Sequence, residues 1–163
     1  MADPLPLPLP VARYDADTLP GLLAHRYPIL LVDRIDVMAR GQRVVGHRQV
    51  TGNEWATGGV AGFGGAGWEP GLPGVLVVEA LAQTSAALLV DLVDTSAGVV
   101  GYFAGLERVR LRGRARAGET LALEVTLRAF KRGVAKLRGA ARVVDDGRVV
   151  ATADFTTVVR PRG

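Results

Sequence analysis

The residue with the most chemistry to offer is Glu79. It stands in Val75 to Val93, a run whose apolar members (Val75, Leu76, Val77, Val78, Leu81, Leu88, Leu89, Leu92) point in nearly every helical direction. Only Glu79, Gln83, Thr84, Ser85 and Asp91 interrupt it. A helix that is apolar all round is expected to be buried on all sides. An ionised carboxylate there is costly unless paired, and desolvation pushes its pKa up. Such an acid can give and take protons near neutral pH. Gln83 lies one turn further on the same face, where its amide can orient the carboxyl group. Gly74 lies at the expected helix start, where free N–H groups and the positive end of the dipole meet. A carbonyl oxygen placed there would be polarised. The plainer reading of Glu79 is a solvated or interface acid.

The elements that must position these groups follow from the pattern around them. Alternating Pro at residues 4 to 10 forbids helix and inner strand, so residues 1–16 read as an extended N-terminal arm. Asp17 or Thr18 caps a short helix over Pro20 to Ala24, broken at Tyr27-Pro28. Ile29 to Val37 and Arg43 to Thr51 read as strands joined by a turn. Residues 58 to 74 hold eight of the 21 glycines and read as a loop flanked by Trp55 and Trp68. After the long helix come strands over Val99–Ala104, Glu107–Arg112, Thr120–Lys131, Val134–Asp145 and Arg148–Val159. Lys131-Arg132-Gly133 and Asp145-Asp146-Gly147 are hairpin turns. One all-apolar helix among antiparallel strands must be wrapped by the sheet. The expectation is an α+β hotdog fold, one domain over residues 17–160 with a short tail, of a kind that pairs sheets edge to edge.

Composition bounds the function. With 163 residues the chain holds one domain. It has no cysteine, so disulfides, a thiolate metal site and a Cys nucleophile are excluded. No metal or cofactor is expected. No signal peptide and no bilayer-crossing run is visible, which points to a cytoplasmic protein without membrane contact. The net charge of +4 is unevenly spread: residues 107–142 carry eleven basic and three acidic groups. A one-sided basic surface attracts an acidic partner. With Phe130 its sole aromatic, the stretch lacks a stacking platform, which ranks nucleic acid last and favours an acidic protein.

Several stretches resemble the 3-hydroxyacyl-acyl-carrier-protein dehydratases of the FabZ type. They are residues 23–34 (Leu-Ala-His-Arg-Tyr-Pro-Ile-Leu-Leu-Val-Asp-Arg), Asn53-Glu54, and residues 72–83 (Leu-Pro-Gly-Val-Leu-Val-Val-Glu-Ala-Leu-Ala-Gln). Gly101 to Leu106, Ala117-Gly118-Glu119 and Lys131-Arg132-Gly133 follow in the same order. The resemblance implies a hotdog dimer with an acyl tunnel along the helix. It implies removal of water from a 3-hydroxyacyl thioester, delivered on the phosphopantetheine arm of acyl carrier protein. It makes Glu79 the catalytic acid, Gly74 the N–H donor and Gln83 the orienting amide, with Tyr102 lining the tunnel. The carrier would meet Arg108, Arg110, Lys131, Arg132 and Lys136.

One departure matters. The family's second catalytic group is a histidine in the loop before the helix, and residues 55–71 contain none. Of the chain's two histidines, His25 falls in the family's Pro-His-Arg-type motif and reads as structural, and His47 reads as a surface strand residue. Glu54 and Glu69 flank the loop and are the alternative carriers of the missing base, but each reads first as an ordinary loop acid. Since the family assembles its site across a dimer, the resemblance implies pairing with a His-bearing hotdog subunit in a heterodimer, or else a homodimer. The chain would then serve fatty-acid or polyketide-like synthesis and be weak alone. The alternatives are a non-catalytic acyl-binding subunit and a thioesterase using Glu79.

Overall fold

The computed structural model describes residues 9–56, 71–94 and 99–161. The Gly-rich loop expected over 58–71, with Trp68 and Glu69, lies outside the described residues apart from Gly71. Among the described residues, seven antiparallel strands form one sheet: β1 (Ala12–Tyr14), β2 (Arg34–Ala39), β3 (Arg43–Gln49), β4 (Val99–Leu111), β5 (Thr120–Lys131), β6 (Val134–Val143) and β7 (Val149–Pro161). Their order is β1-β2-β3-β5-β6-β7-β4. Helix α1 (Leu19–Leu22) precedes β2, and the long helix α2 (Gly74–Leu89) packs across the sheet. This is the expected α+β hotdog.

Alternation in the first half of β5, in β6 and in β7 beyond Ala151 explains the arrangement. Leu121, Leu123, Val125, Leu137, Ala141, Ala153 and Phe155 are buried on the helix side, and the residues between them are more exposed. Two glycines let the layers close. A Cβ at Gly46 would sit 2.2 Å from the Thr84 Oγ1 of α2, and one at Gly139 would meet the Phe155 ring at 2.7 Å.

The structure corrects several sequence expectations. Residues 12–14 of the supposed arm pair with β2. The strand expected from Ile29 is β2 and begins at Arg34, because residues 29–31 are taken up by α2. The two strands expected over 99–112 are one strand, β4, kinked by register shifts between Phe103 and Gly105 and between Glu107 and Arg110. Thr18 stands at the N-cap of α1 without capping it; the Asp15 carboxylate accepts from the N–H groups of Asp17 and Thr18 instead.

His47 is partly buried and paired rather than a free surface residue. Its Nε2 lies 2.9 Å from the Asp36 carboxylate, which Arg13 of β1 also holds at 2.6 Å, and Arg34 reaches its Nδ1 at 3.3 Å. Burial depresses the His47 pKa and the Arg34 charge adds to this, outweighing the pull of Asp36. Burial alone would raise Asp36, but the Arg13 hydrogen bond and the surrounding positive charge bring it below the usual carboxylate range.

Two outcomes follow. His47 binds its proton less readily folded than unfolded, so its contribution to stability is complete above about pH 6.5 and is lost as pH falls through its folded value. Denaturation midpoints are expected to drop between pH 7 and pH 5, with a shallower drop for His47→Gln. Gly46→Ala is expected to cost about 1–3 kcal/mol in urea denaturation, partly recovered by adding Thr84→Ala.

Candidate active site

The helix that carries Glu79 is pinned at its start. The Leu72 N–H donates to the Ala115 carbonyl at 2.7 Å, and Leu72 is fully buried. Pro73 occupies the N-cap, and Gly74 opens the first turn. A Cβ at Gly74 would press on the Leu111 side chain at 3.0 Å, so this glycine lets the helix start slide under the end of β4. First-turn amides such as those of Gly74 and Val75 have no carbonyl partner within the helix.

The helix is not buried all round. Val75, Glu79, Ala82, Ala86 and Val90 form one stripe that stays at least partly open, whereas Val77, Val78, Ala80 and Leu81 are buried. The Glu79 side chain retains 37% of its exposure in the single chain. Two cavities meet at this stripe. One, of about 460 Å³, lies between Val75, Val78 and Glu79 of the helix and Phe103 to Leu106 of β4. The other, of about 550 Å³, runs from Glu79 past His25 and Gln83 to Leu89 and Val159. Glu79, Ala82 and Phe103 border both.

Gln83 fixes the carboxyl group. This amide is 2% exposed. Its Oε1 accepts from the Leu31 N–H at 2.9 Å, and its Nε2 donates to the Ile29 carbonyl at 2.8 Å and to Glu79 Oε1 at 2.8 Å. Both amide protons and the carbonyl are therefore used. The second carboxylate oxygen of Glu79, Oε2, is the one not engaged by Gln83.

The structure adds a residue that the sequence reading set aside. His25 Nε2 lies 3.5 Å from Glu79 Oε1. His25 follows α1 in a turn locked by Arg26, whose guanidinium donates to the carbonyls of Leu23, His25 and Pro20. Trp55 Nε1 ties the next stretch down by donating to the Pro28 carbonyl at 3.1 Å. His25 is 54 residues from Glu79 in sequence, and nothing in local spacing signals that they meet. The motif containing it was the one pointer.

The remaining expected site residues are not brought together. Tyr102 is 58% exposed and lies on the opposite side of β4 from Gly101 and Phe103, which do wall the cavity. Strand alternation puts Phe103, and not Tyr102, at the cavity wall. Arg108 forms an ion pair with Asp154 on the outer side, and Arg110 follows on the same strand. Lys131 and Arg132 form the β5–β6 turn, next to Val159, whose N–H donates to the Gly133 carbonyl. Lys136 is exposed opposite Thr156 on the face of the sheet away from the helix, remote from both cavities. Glu54 is held by Arg48 and the Thr51 N–H and faces neither cavity.

A FabA-like domain model matches residues 23–154. The chain belongs to the FabA-like family. It is 41% identical over 132 residues to the 3-hydroxyacyl-[acyl-carrier-protein] dehydratase FabZ of Moorella thermoacetica, covering 81% of this chain and 88% of the relative. It is 43% identical over 135 residues to the FabZ of Roseiflexus castenholzii, covering 83% and 89%. Among solved structures, the dehydratase heterocomplex ApeI:P from Xenorhabdus doucetiae superposes with a TM-score of 0.64 at 18% identity, covering 88% of this chain and 91% of that one. A coenzyme A-bound thioesterase-type protein of Streptococcus pneumoniae gives 0.57 at 16%, covering 76% and 82%. Both share the hotdog fold with this FabA-like chain.

The clamp around Gln83 predicts a stability effect separable from chemistry. Gln83→Leu strands the Leu31 N–H and the Ile29 carbonyl, and is expected to cost about 1–3 kcal/mol for each group in denaturant unfolding.

Proposed function

We propose that this chain is a dehydratase-type subunit acting on 3-hydroxyacyl thioesters carried by acyl carrier protein, in fatty-acid or polyketide-like biosynthesis in the cytoplasm. The observation that supports this most directly is a carboxyl group oriented by a buried amide at the junction of two cavities, in a chain about 40% identical to named dehydratases. The thioester lies in the groove between α2 and β4. The first-turn amides of Gly74 and Val75 polarise its carbonyl, and Glu79, through Oε2, protonates the departing 3-hydroxyl. Phe103 and the helix stripe line the acyl chain.

The working form is a pair of hotdog subunits. Strand β4 is one edge of the sheet, and it exposes Phe103, Leu106, Val109 and Leu111 beside the open stripe of the helix. A second subunit on this edge would satisfy the strand and cover the groove. That subunit is a relative bearing the loop histidine, or a second copy, in which case the base must come from the chain itself. Among the described residues, no helix is long and apolar enough to cross a membrane.

Carrier protein docks through Arg108 and Arg110 beside one cavity and the Lys131-Arg132 turn beside the other. Lys136 drops out of this surface on account of its place on the outer face.

Dehydration is measured by enoyl-thioester absorbance, with the chain alone and with His-bearing relatives. Glu79→Gln is expected to lower kcat/KM at least about 100-fold in whichever form is active. Full activity without the carboxyl group would favour a non-catalytic acyl-binding subunit, and release of free thiol would favour hydrolysis. Arg110→Glu is expected to raise KM for the carrier-bound substrate and leave KM for the pantetheine thioester unchanged.

A further inference from the structure

Dehydration of a 3-hydroxyacyl thioester needs two proton transfers: one away from Cα, one onto the leaving oxygen. The chain has two histidines, and one is committed elsewhere: both ring nitrogens of His47 are engaged, by Asp36 and by Arg34. Among the described residues that wall the two cavities, only His25 and Glu79 carry an acid–base side chain. They stand 3.5 Å apart, Nε2 to Oε1. The opposite ring nitrogen, His25 Nδ1, is buried and has no hydrogen-bond partner. The ring therefore exchanges protons through Nε2, the nitrogen beside Glu79. Gln83 already occupies Glu79 Oε1, which leaves Oε2 to hold the acid proton.

We propose that His25 is the proton-accepting group that works with Glu79, so that one chain carries both proton-transfer groups of the reaction. This rests on the dehydratase reading and identifies the base within it. His25 Nε2 takes the proton from Cα. The C–H electron pair becomes the new π bond as the Cβ–O bond breaks. The proton on Glu79 Oε2 goes to the departing oxygen, which leaves as water. The chain is left with an imidazolium and a carboxylate side by side, and transfer of one proton from Nε2 to the carboxylate restores the starting state. A second copy of the chain then suffices to cover the groove.

The test uses the full chain, purified alone, with 3-hydroxybutanoyl and 3-hydroxydecanoyl pantetheine thioesters in deuterium oxide. Wild type is expected to dehydrate them and to exchange deuterium into C2. His25→Asn is expected to lower kcat and C2 exchange at least about 100-fold while KM stays within about threefold. Adding Glu79→Gln to it is expected to cost less than about tenfold more, because the two groups act as a unit. His47→Asn is expected to remain active. Unchanged exchange in a folded His25→Asn overturns the proposal. So does a chain that is inactive alone yet equally active, as wild type or His25→Asn, once a His-bearing relative is added; that result leaves the dehydratase reading standing. No dehydration in any pairing removes both. If His25→Asn does not fold, nitrogen NMR of wild type with a 3-hydroxyacyl pantetheine amide decides. A shift at His25 Nε2 but not at His47 supports the proposal, and its absence overturns it.

Discussion

The three hydrogen bonds of Gln83 hold the rest of the site in place. A primary amide buried in an apolar core is tolerated only when its donors and acceptor are matched, and the backbone at Ile29 and Leu31 matches two of them. That bond set does two jobs. It ties the stretch after α1 to the middle of α2, which brings His25 beside the helix. It also leaves one amide proton for Glu79. The site's geometry is thus a by-product of a core polar group being satisfied, and the carboxyl group inherits the rigidity of the core.

The sheet supplies the other wall. Its inner face is built of alternating small and large apolar residues, with glycines at 46 and 139 where α2 and Phe155 need the space. Toward the β4 edge the fit loosens. The two register shifts in β4 bend the strand, Phe103 meets Phe155 edge to face at 5.7 Å, and a groove remains between strand and helix. A tightly packed centre and a loosely closed edge are what a chain needs if a thioester is to lie beside its core helix.

Much of this was legible beforehand. The single apolar helix, the hairpin turns at Lys131-Arg132-Gly133 and Asp145-Asp146-Gly147, and the alternating strands are local patterns, and they sufficed for the fold. The pairing of Glu79 with Gln83 was legible because four residues is one helical turn. Tyr102 was misread because which side of a strand faces the core depends on register, and a slip of one residue inverts it. The burial of Glu79 was overestimated because composition cannot show that one stripe of a helix faces an unfilled edge. His47 was misread because its partners, Arg34 and Asp36, come from the neighbouring strand β2.

The order of residues along the chain determined the elements, their alternation, the acid and its amide, and the absence of a histidine in the loop before the helix. Each of these is a short-range or compositional property. Only the tertiary structure decided that His25 stands beside Glu79, that Phe103 rather than Tyr102 walls the groove, and that the basic residues divide between a turn, an edge strand and an outer face. Those are contacts between segments tens of residues apart, set by how core side chains pack and satisfy their hydrogen bonds, and spacing along a chain carries no measure of them.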